Sequence, residues 1–190
     1  MGGNASGIAV AGSYDRAVEP IAGRLLVATT ALIDPNFWRT VILVIHADES
    51  GHIGLVLNRP TLEPVASHLE EWSGTAVGES VVHYGGPVEP DVAIILVSNG
   101  PGESTGLAGV RRGDLTEPAI RDLPSRIYAG YAGWGPSQLQ AEIVEGAWVV
   151  VPADPSDPFD DPAQQWERVL KRQGGRLALM STYPLDVSMN

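Results

Sequence analysis

The apolar and polar positions of the chain divide it into strand-like runs separated by turns. Residues 40–46, Thr-Val-Ile-Leu-Val-Ile-His, form a β-branched apolar run that is typical of a strand buried on both faces. Residues 53–57 are predicted to return antiparallel to it, because residues 48–51 have the composition of a hairpin loop. Runs of the same kind predict further strands at residues 24–28, 92–97, 126–131 and 147–151.

The period of the pattern changes after this hairpin. Four apolar residues at helical spacing, with polar residues between them, predict an amphipathic helix. Thr61 is a suitable N-cap, and Gly74 is a suitable residue to end the helix. The four residues are Leu62, Val65, Leu69 and Trp72.

Two more helices are predicted in the second half of the chain. Pro136 suits the first turn of one of them. The other is predicted to start at an Asp161 cap, with Pro162 in its first position, and to end at Gly174. Its buried face would carry Trp166, Val169 and Leu170.

Strands outnumber helices in this pattern, and hairpins mix with crossing connections. We therefore predict an α+β fold, with a mixed, mostly antiparallel sheet and a few helices packed on it. Residues 20–190 are predicted to form a single domain, since no linker divides them. Residues 1–19 lack periodicity and are predicted to be a flexible N-terminal tail.

Composition and charge narrow the class of protein. The formal net charge is -11 and the sequence pI is about 4.6, so phosphate backbones repel the chain and direct DNA binding is not expected. The chain contains 0 Cys, which excludes thiolate catalysis and disulfides and fits a cytoplasmic protein. No secretion signal and no apolar run long enough for membrane insertion is present.

Four motifs, in order and with their spacing, carry a resemblance to a known family. The first covers residues 23–28, 34–37 and 41–42, and the second covers residues 54–60 (Gly-Leu-Val-Leu-Asn-Arg-Pro). The third is Gly-Gly-Pro-Val at 85–88, and the fourth is Gly-Tyr-Ala-Gly-Trp-Gly at 130–135 with its continuation to Trp148. On these motifs the chain resembles the AlgH/YqgE family of bacterial proteins.

The resemblance implies a fold more than a function. It implies one compact α+β domain with coiled, bifurcated sheets, and some members carry the name of a transcriptional regulator of alginate synthesis. It implies no reaction, no catalytic residue and no cofactor. The chain departs from the usual family pattern at Thr30, Ser137 and Gln140.

The second motif supplies the first candidate for a binding site. Arg59 is able to grip a carboxylate or phosphate through two parallel hydrogen bonds, with Asn58 donating beside it. The alternative is structural and is favoured by the number of acids in the chain. In that case Asn58 closes a turn, and Arg59 pairs with an acid such as Glu63 or Glu89.

The glycine-rich motifs supply two further candidates. Gly85 and Gly86, which follow His83, permit close backbone approach to a ligand, although a tight turn before Pro87 is the simpler explanation. Tyr131 and Trp134 lie among glycines just before a predicted helix N-terminus, which suits an anion and a stacked planar ligand. The alternative is that these glycines let large rings pack against backbone.

Other clusters of charged residues indicate no metal site and no nucleic-acid site. His46 and His52 flank one hairpin and would need a third ligand such as Asp34 or Asp48 to bind a metal, but no close-spaced histidine motif is present and surface histidines are favoured. The acidic residues between 154 and 161 are predicted to form a solvated loop. Arg168, Lys171, Arg172 and Arg176 are predicted to complement the C-terminal dipole of the last helix.

Two functions remain open from the sequence. We favour a cytoplasmic, non-catalytic binding or regulatory protein, whose ligand is a small anion or a protein partner and whose site lies where the three motifs meet. The alternative is an enzyme acting on a small anionic or nucleotide-like substrate. In that case His83 or His46 would be the base and Arg59 would bind the anion.

Overall fold

The computed structural model describes residues 21–72 and 80–183. The predicted tail, residues 1–19, lies outside the described residues. No helix in the described part of the chain is long and apolar enough to cross a membrane. The strands are β1 (Arg24–Ala28), β2 (Val41–Asp48), β3 (Gly51–Val56), β4 (Pro60–Pro64), β5 (Val81–Tyr84), β6 (Val88–Ser98), β7 (Glu103–Ser104), β8 (Val110–Gly113), β9 (Ser125–Trp134) and β10 (Trp148–Pro152). The helices are α1 (Gln138–Val144), α2 (Gln165–Gln173) and α3 (Gly175–Met180).

One curled sheet contains the ten strands in the order β10-β1-β2-β3-β9-β6-β8-β7, with β4 and β5 attached beside this path. The pairs along the path are antiparallel, while β5 runs parallel to β9. The predicted α+β class and mostly antiparallel sheet are confirmed, although the helical content is small. The predicted hairpin is formed by β2 and β3, with Leu43 opposite Leu55.

The sheet forks at β9. One side of β9 pairs with β6, whereas its other side is divided between two strands. Its C-terminal end pairs with β3, where His52 lies opposite Trp134, and its central part pairs with β5, where His83 lies opposite Tyr128. A single strand therefore connects the two branches of the sheet.

Glycines make the fork possible, because backbones approach there more closely than a Cβ atom permits. A Cβ on Gly85 would lie 2.2 Å from the Gly130 carbonyl oxygen, and a Cβ on Gly86 would lie 2.2 Å from the Tyr131 carbonyl carbon. Gly86 and Gly130 also have positive φ angles of 153° and 68°. These glycines are needed for packing of the chain against itself.

Alternate residues of the strands build separate cores on the two faces of the sheet. On one face Leu25, Leu43, Leu55 and Tyr128 pack beneath α2. On the other face Leu26, Ile42, Trp134 and Trp148 pack with Leu139 of α1. A third, smaller core lies beyond the fork. It contains Val65, Trp72, Ile95, Val97, Ile120 and Ile127.

The predicted helix is wrong over residues 61–72, and its predicted end at Gly74 lies outside the described residues. Residues 60–64 form β4 instead, because Pro60 pairs with His83 and the Thr61 hydroxyl donates to the Val82 carbonyl at 2.7 Å. Leu62 is 95% exposed, whereas Val65 and Trp72 are buried in two short 3₁₀ turns at 65–67 and 70–72. Local periodicity failed here because a partner strand from elsewhere in the chain, β5, supplied the hydrogen bonds.

The last predicted helix is confirmed in its buried face but not in its start. Trp166, Val169 and Leu170 are buried as predicted, and Gly174 ends the helix with a φ angle of 73°. The helix begins at Gln165 rather than at Pro162, since Gln164 has a φ angle of 56°. The Asp161 carboxylate accepts the Ala163 N–H at 2.9 Å, so it closes a turn instead of capping the helix.

The sequence predicted that the acidic loop before α2 is solvated, but part of this loop is buried. Asp157 is 2% exposed, and each of its carboxylate oxygens accepts a 2.8 Å hydrogen bond from the Arg172 guanidinium. This contact raises the pKa of Arg172. The acidic loop and one of the basic residues of α2 are therefore partners, and the pair holds α2 against the loop.

We expect Gly85→Ala to destabilise the protein by about 3 kcal/mol, the upper range for overpacking of a core. The reason is steric, because the added Cβ has backbone rather than a flexible side chain as its neighbour. Gly135→Ala is the matched control, since its Cβ would have Gln138 Oε1 as its nearest neighbour at 3.9 Å. Urea unfolding of both variants measures the difference, and equal stabilities would contradict the steric account of the fork.

Candidate functional site

Asn58 uses both ends of its side-chain amide to extend the hairpin. Its Nδ2 donates to the Arg39 carbonyl at 2.9 Å, and its Oδ1 accepts the Val41 N–H at 3.0 Å. The side chain thus continues the ladder between β2 and β3 beyond the last backbone pair. The side chain therefore has a structural role, but it bonds to the start of β2 instead of closing a turn as the structural alternative supposed, and its role toward a ligand stays a prediction.

Arg59 binds backbone carbonyls. Its guanidinium donates to the carbonyl of Trp38 and, at 3.3 Å, to that of Asn58. Partial burial lowers the pKa of the guanidinium. Within residues 21–72 and 80–183, no carboxylate lies within 4.0 Å of it, so the alternative pairing with Glu63 or Glu89 is not formed there.

His83 is an interior residue. It is 5% exposed, its Nδ1 lies 3.2 Å from the Val81 carbonyl, and its ring packs edge-on against Tyr128 with centroids 5.8 Å apart. Burial, and secondarily the nearby Arg126 cation, lowers the pKa of His83 to about 4. The imidazole is therefore neutral at physiological pH.

Backbone atoms around Gly85 are committed to the sheet. The Gly85 N–H donates to the Ala129 carbonyl at 2.8 Å, and the Gly85 carbonyl accepts the Val56 N–H at 2.9 Å. The Tyr84 N–H likewise donates to the Arg59 carbonyl at 2.8 Å. The backbones of the predicted motifs therefore meet at the fork, as the sequence hypothesis supposed, but they meet by bonding to one another.

Trp134 lies in an aromatic cluster on the opposite face of the sheet. It is 6% exposed and packs edge-on against Trp148, with ring centroids 6.0 Å apart, while Phe37 contacts both rings. The indole N–H groups of both tryptophans donate to Glu142 Oε2, at 3.0 and 2.8 Å. Sequence reasoning missed this role of Glu142; its position one turn after Gln138 on α1 was the available signal.

Two predicted site residues line hollows in the described structure: Trp134 lines a smaller one, and Tyr131 lines both that one and an open cavity. We call this cavity, of about 640 Å³, the sheet cleft. Its volume is in the range of ordinary ligand sites. Its lining is apolar at Ile53, Val92, Ala93, Ile94, Leu115 and Tyr131, and charged at Glu89, Glu103, Arg112 and Asp114.

A bulge in β6 opens the sheet cleft. Val88 pairs with Tyr131 and Ala93 pairs with Ala129, so β6 advances five residues while β9 advances two. The extra residues leave the plane of the sheet, and Glu89 takes a positive φ angle of 47°. Glu89 and Val92 are thereby placed on the wall of the cleft.

Two smaller hollows adjoin the sheet cleft. One of about 440 Å³ shares Ile53 and Tyr131 with it, the other of about 300 Å³ shares Ile53 and Arg112, and His46 lines both. His46 Nε2 lies 2.8 Å from Asp48 Oδ2. Hydrogen bonds from Ser50 and His46 lower the pKa of Asp48 to about 2, so this carboxylate is ionised.

The charge of the sheet cleft is mainly negative. The Arg112 guanidinium contacts the Glu103 carboxylate, and within the described residues neither Glu89 nor Asp114 has an ion-pair partner. Hydrogen bonds from Thr116 lower the pKa of Asp114 and keep it ionised. Among the described residues, no group of three or more His, Asp or Glu side chains is arranged to hold a metal ion.

The chain is similar in sequence to a family of bacterial proteins. A family model described as AlgH-like matches residues 25–178, which include the fork and α2. The chain belongs to the AlgH-like family. The AlgH-like domain is 46% identical over 191 residues to a UPF0301 protein of Streptomyces coelicolor, covering 91% of this chain and 97% of that protein. A UPF0301 protein of Streptomyces avermitilis is 45% identical over 189 residues, with the same two coverages, 91% and 97%.

Solved structures have the same fold. A crystal structure of a Corynebacterium diphtheriae protein superposes with a TM-score of 0.78 at 28% identity, covering 89% of this chain and 95% of that one. The solution structure of the AlgH protein from Pseudomonas aeruginosa gives a TM-score of 0.66 at 29% identity, with coverages of 91% and 100%. The family assignment made from the sequence motifs is confirmed.

We expect Glu142→Ala to lower the free energy of unfolding by about 2–4 kcal/mol, because two indole N–H groups lose their acceptor. Glu145→Ala is the matched control on the same segment, where the side chain is exposed and a change within about 0.5 kcal/mol is expected. Chemical unfolding followed by tryptophan fluorescence measures both. Similar losses of stability in the two variants would contradict the role of Glu142 as the shared acceptor of the two indole N–H groups.

His83 is expected to make stability depend on pH between about 4 and the unfolded value near 6.5. Above pH 6.5 His83 is unprotonated in both the folded and the unfolded protein. Between pH 6.5 and pH 4 the unfolded protein binds a proton at His83 and the folded protein does not. The free energy of unfolding therefore falls as pH falls, by roughly 3 kcal/mol over the whole window. Urea unfolding at pH 7 and pH 4 measures the loss. His83→Phe should lose less stability than the wild type, while His68→Gln, at an exposed position, should follow the wild type.

Proposed function

We propose that this AlgH-like protein is a non-catalytic, cytoplasmic binding protein that receives a segment of a protein partner in the sheet cleft. The observation that carries this proposal is the mixed lining of the cleft, in which the apolar side chains of Ile53, Ile94 and Tyr131 occur together with carboxylates. Aromatic and aliphatic side chains at the centre of a depression, with charges around them, are the usual composition of a protein-binding surface.

The charge of the cleft selects the chemistry of the partner. Glu89 and Asp114 have no ion-pair partner in the part of the chain that the structure describes, and the chain as a whole carries a net charge of -11. Both features attract cations and repel anions. The segment that fits is an apolar side chain flanked by lysine or arginine.

A regulatory role is compatible with this proposal if it is indirect. The same negative charge that favours a basic peptide opposes contact with the DNA backbone. We therefore propose that any effect on transcription is exerted through a partner protein and not through DNA.

Catalysis with Arg59 is less well supported by the geometry. Arg59 follows Asn58, which is bonded to the first residue of β2, whereas His46 lies five residues further along that strand, about 16 Å away. His83 lies near Arg59 along the backbone, but the residue is 5% exposed and its ring packs against Tyr128. Neither histidine is placed to transfer a proton at an anion held by Arg59.

A small anion at Arg59 is the second candidate. The specific observation is a partly buried guanidinium that has carbonyl partners but no carboxylate within 4.0 Å among the described residues. Such a cation retains capacity for a carboxylate or phosphate. Thermal shift with inorganic phosphate and nucleotides separates this candidate from the first, because a rise in Tm that is lost in Arg59→Ala would favour the anion.

The cleft is tested with a designed pair of labelled peptides, one with leucine and tyrosine flanked by lysine and arginine, the other with glutamate at each basic position. We expect the basic peptide to bind about tenfold tighter in fluorescence anisotropy. Tyr131→Ala and Glu89→Lys should each weaken its binding several-fold, through lost apolar contact and lost attraction.

Glu145→Lys is the matched control for charge. It changes the net charge by the same amount as Glu89→Lys but lies at the end of α1, outside the residues that line the cleft. Its affinity for the basic peptide should be that of the wild type. Equal affinity for the two peptides, or equal losses in Glu89→Lys and Glu145→Lys, would overturn the proposed site.

A further inference from the structure

Strand β10 presents an open edge. It pairs with β1 on one side, and among the described residues no strand lies on its other side. The Thr29 N–H donates to the Ala147 carbonyl at 2.9 Å, which fixes the phase of the ladder between β1 and β10. Because hydrogen-bonding direction alternates along an antiparallel pair, the backbone groups of Val149 point toward β1, and those of Trp148 and Val150 point away from it.

The outward backbone groups of β10 have no partner in the part of the chain that the structure describes. The backbone N–H and carbonyl groups of Trp148 and Val150 take part in none of its hydrogen bonds. The Pro152 carbonyl, by contrast, accepts from the Arg172 guanidinium at 3.4 Å, so the open part of the edge ends there. Unpaired groups on a strand edge favour the addition of a further strand.

An apolar groove runs along this edge. Its volume is about 720 Å³, and it is bordered by the end of α1, by β10 and by α3. Residues 148–150 all line it, and since consecutive side chains of a strand point to opposite faces of the sheet, the groove follows the edge of β10 rather than one face. Tyr183, which is 47% exposed, also lines the groove. The apolar lining residues on the two helices are Ile143, Leu177 and Met180.

The groove lacks the negative charge that is typical of this chain. Among the described residues, Arg176 is the one charged residue that lines it, and no carboxylate is part of the lining. The chain as a whole carries a net charge of -11, so two copies of it repel each other at long range. The edge of β10 is a surface on which two copies are able to meet without bringing carboxylates of the lining together.

The open edge is complementary to itself. When two copies of β10 lie antiparallel about a two-fold axis at Val149, Trp148 of one copy stands opposite Val150 of the other. Residues that stand opposite each other in this way exchange both of their backbone hydrogen bonds. Each outward N–H and carbonyl group of these residues then has a partner, while Pro152, which has no N–H to donate, lies outside the paired residues.

We infer that the edge of β10 is the interface of a homodimer, in which the sheet continues from one copy into the second across a two-fold axis. A second copy is the partner because the backbone pattern of the edge matches its own reverse, as an interface of two-fold symmetry requires. The same contact covers the apolar lining of the groove in both copies. The interface is independent of the sheet cleft, which is lined by residues of other strands.

Light scattering of the purified chain tests the inference first. The measured mass should rise from 20.1 kDa toward twice that value as the protein concentration is raised about a hundredfold. Val150→Pro should weaken self-association at least about tenfold, because it removes an outward N–H without removing a hydrogen bond to β1. Circular dichroism of this variant verifies that the sheet is still folded.

A second pair of variants changes charge without changing the backbone. Tyr183→Asp places a carboxylate in the groove, and it should weaken self-association at least about tenfold. Leu62→Asp is the matched control, since it changes the net charge by the same amount at a residue that is 95% exposed on β4, outside the groove. Its self-association should be that of the wild type.

Amide hydrogen exchange by NMR locates the interface. The amides of Trp148 and Val150 should exchange at least about tenfold more slowly at a concentration that gives the dimer than at one that gives the monomer. The amides of Val149 and Val151 should exchange alike at both concentrations, since they donate toward β1 in either state. The same strand thus supplies its own control for correct folding.

Any of the following results would overturn the inference. A monomeric mass at every concentration would show that the edge does not pair with a second copy. Slow exchange of Trp148 and Val150 in the monomer would show that the edge is covered within a single chain. A dimer in which these two amides exchange as fast as in the monomer would place the interface on another surface.

Discussion

The close approach of two backbones at the fork of the sheet is the constraint on which the rest of the structure depends. Gly85 and Gly86 lie against Gly130 and Tyr131 at distances that no side chain tolerates. The contact lets β3 and β5 share one side of β9, so that both branches of the sheet are built on one strand. It also orients the C-terminal half of β9, which sends Tyr131 into the sheet cleft and Trp134 into the core on the opposite face.

Many of the residues that identify the family thus act on one another. The amide of Asn58 extends the ladder of β2, the backbone of Gly85 joins β3 to β9, and Glu142 holds the indoles of Trp134 and Trp148. Polar and glycine-rich motifs are common in ligand sites for the same reason that they are useful here. Both uses require hydrogen-bonding groups in defined positions and backbone that other atoms are able to approach.

The regions that carry open surface have a different origin. The sheet cleft exists because β6 bulges between Val88 and Ala93, and its charge comes from side chains on several strands. The groove beside β10 exists because the described sheet ends there. Neither feature corresponds to a compact sequence motif, so the pattern of the sequence does not indicate either surface.

The sequence by itself determined the elements whose hydrogen bonds and packing involve residues close together in the chain. The hairpin of β2 and β3, the buried face of α2 and the end of that helix at Gly174 follow from periodicity and glycine. Tertiary structure decided the segment at residues 60–72, where pairing with β5 replaced a helix of suitable period. It also decided that Asp157 is buried with Arg172, and that Arg59 binds carbonyls. These outcomes depend on partners distant in the sequence, and the free energy of such contacts exceeds the small local preferences that a pattern records.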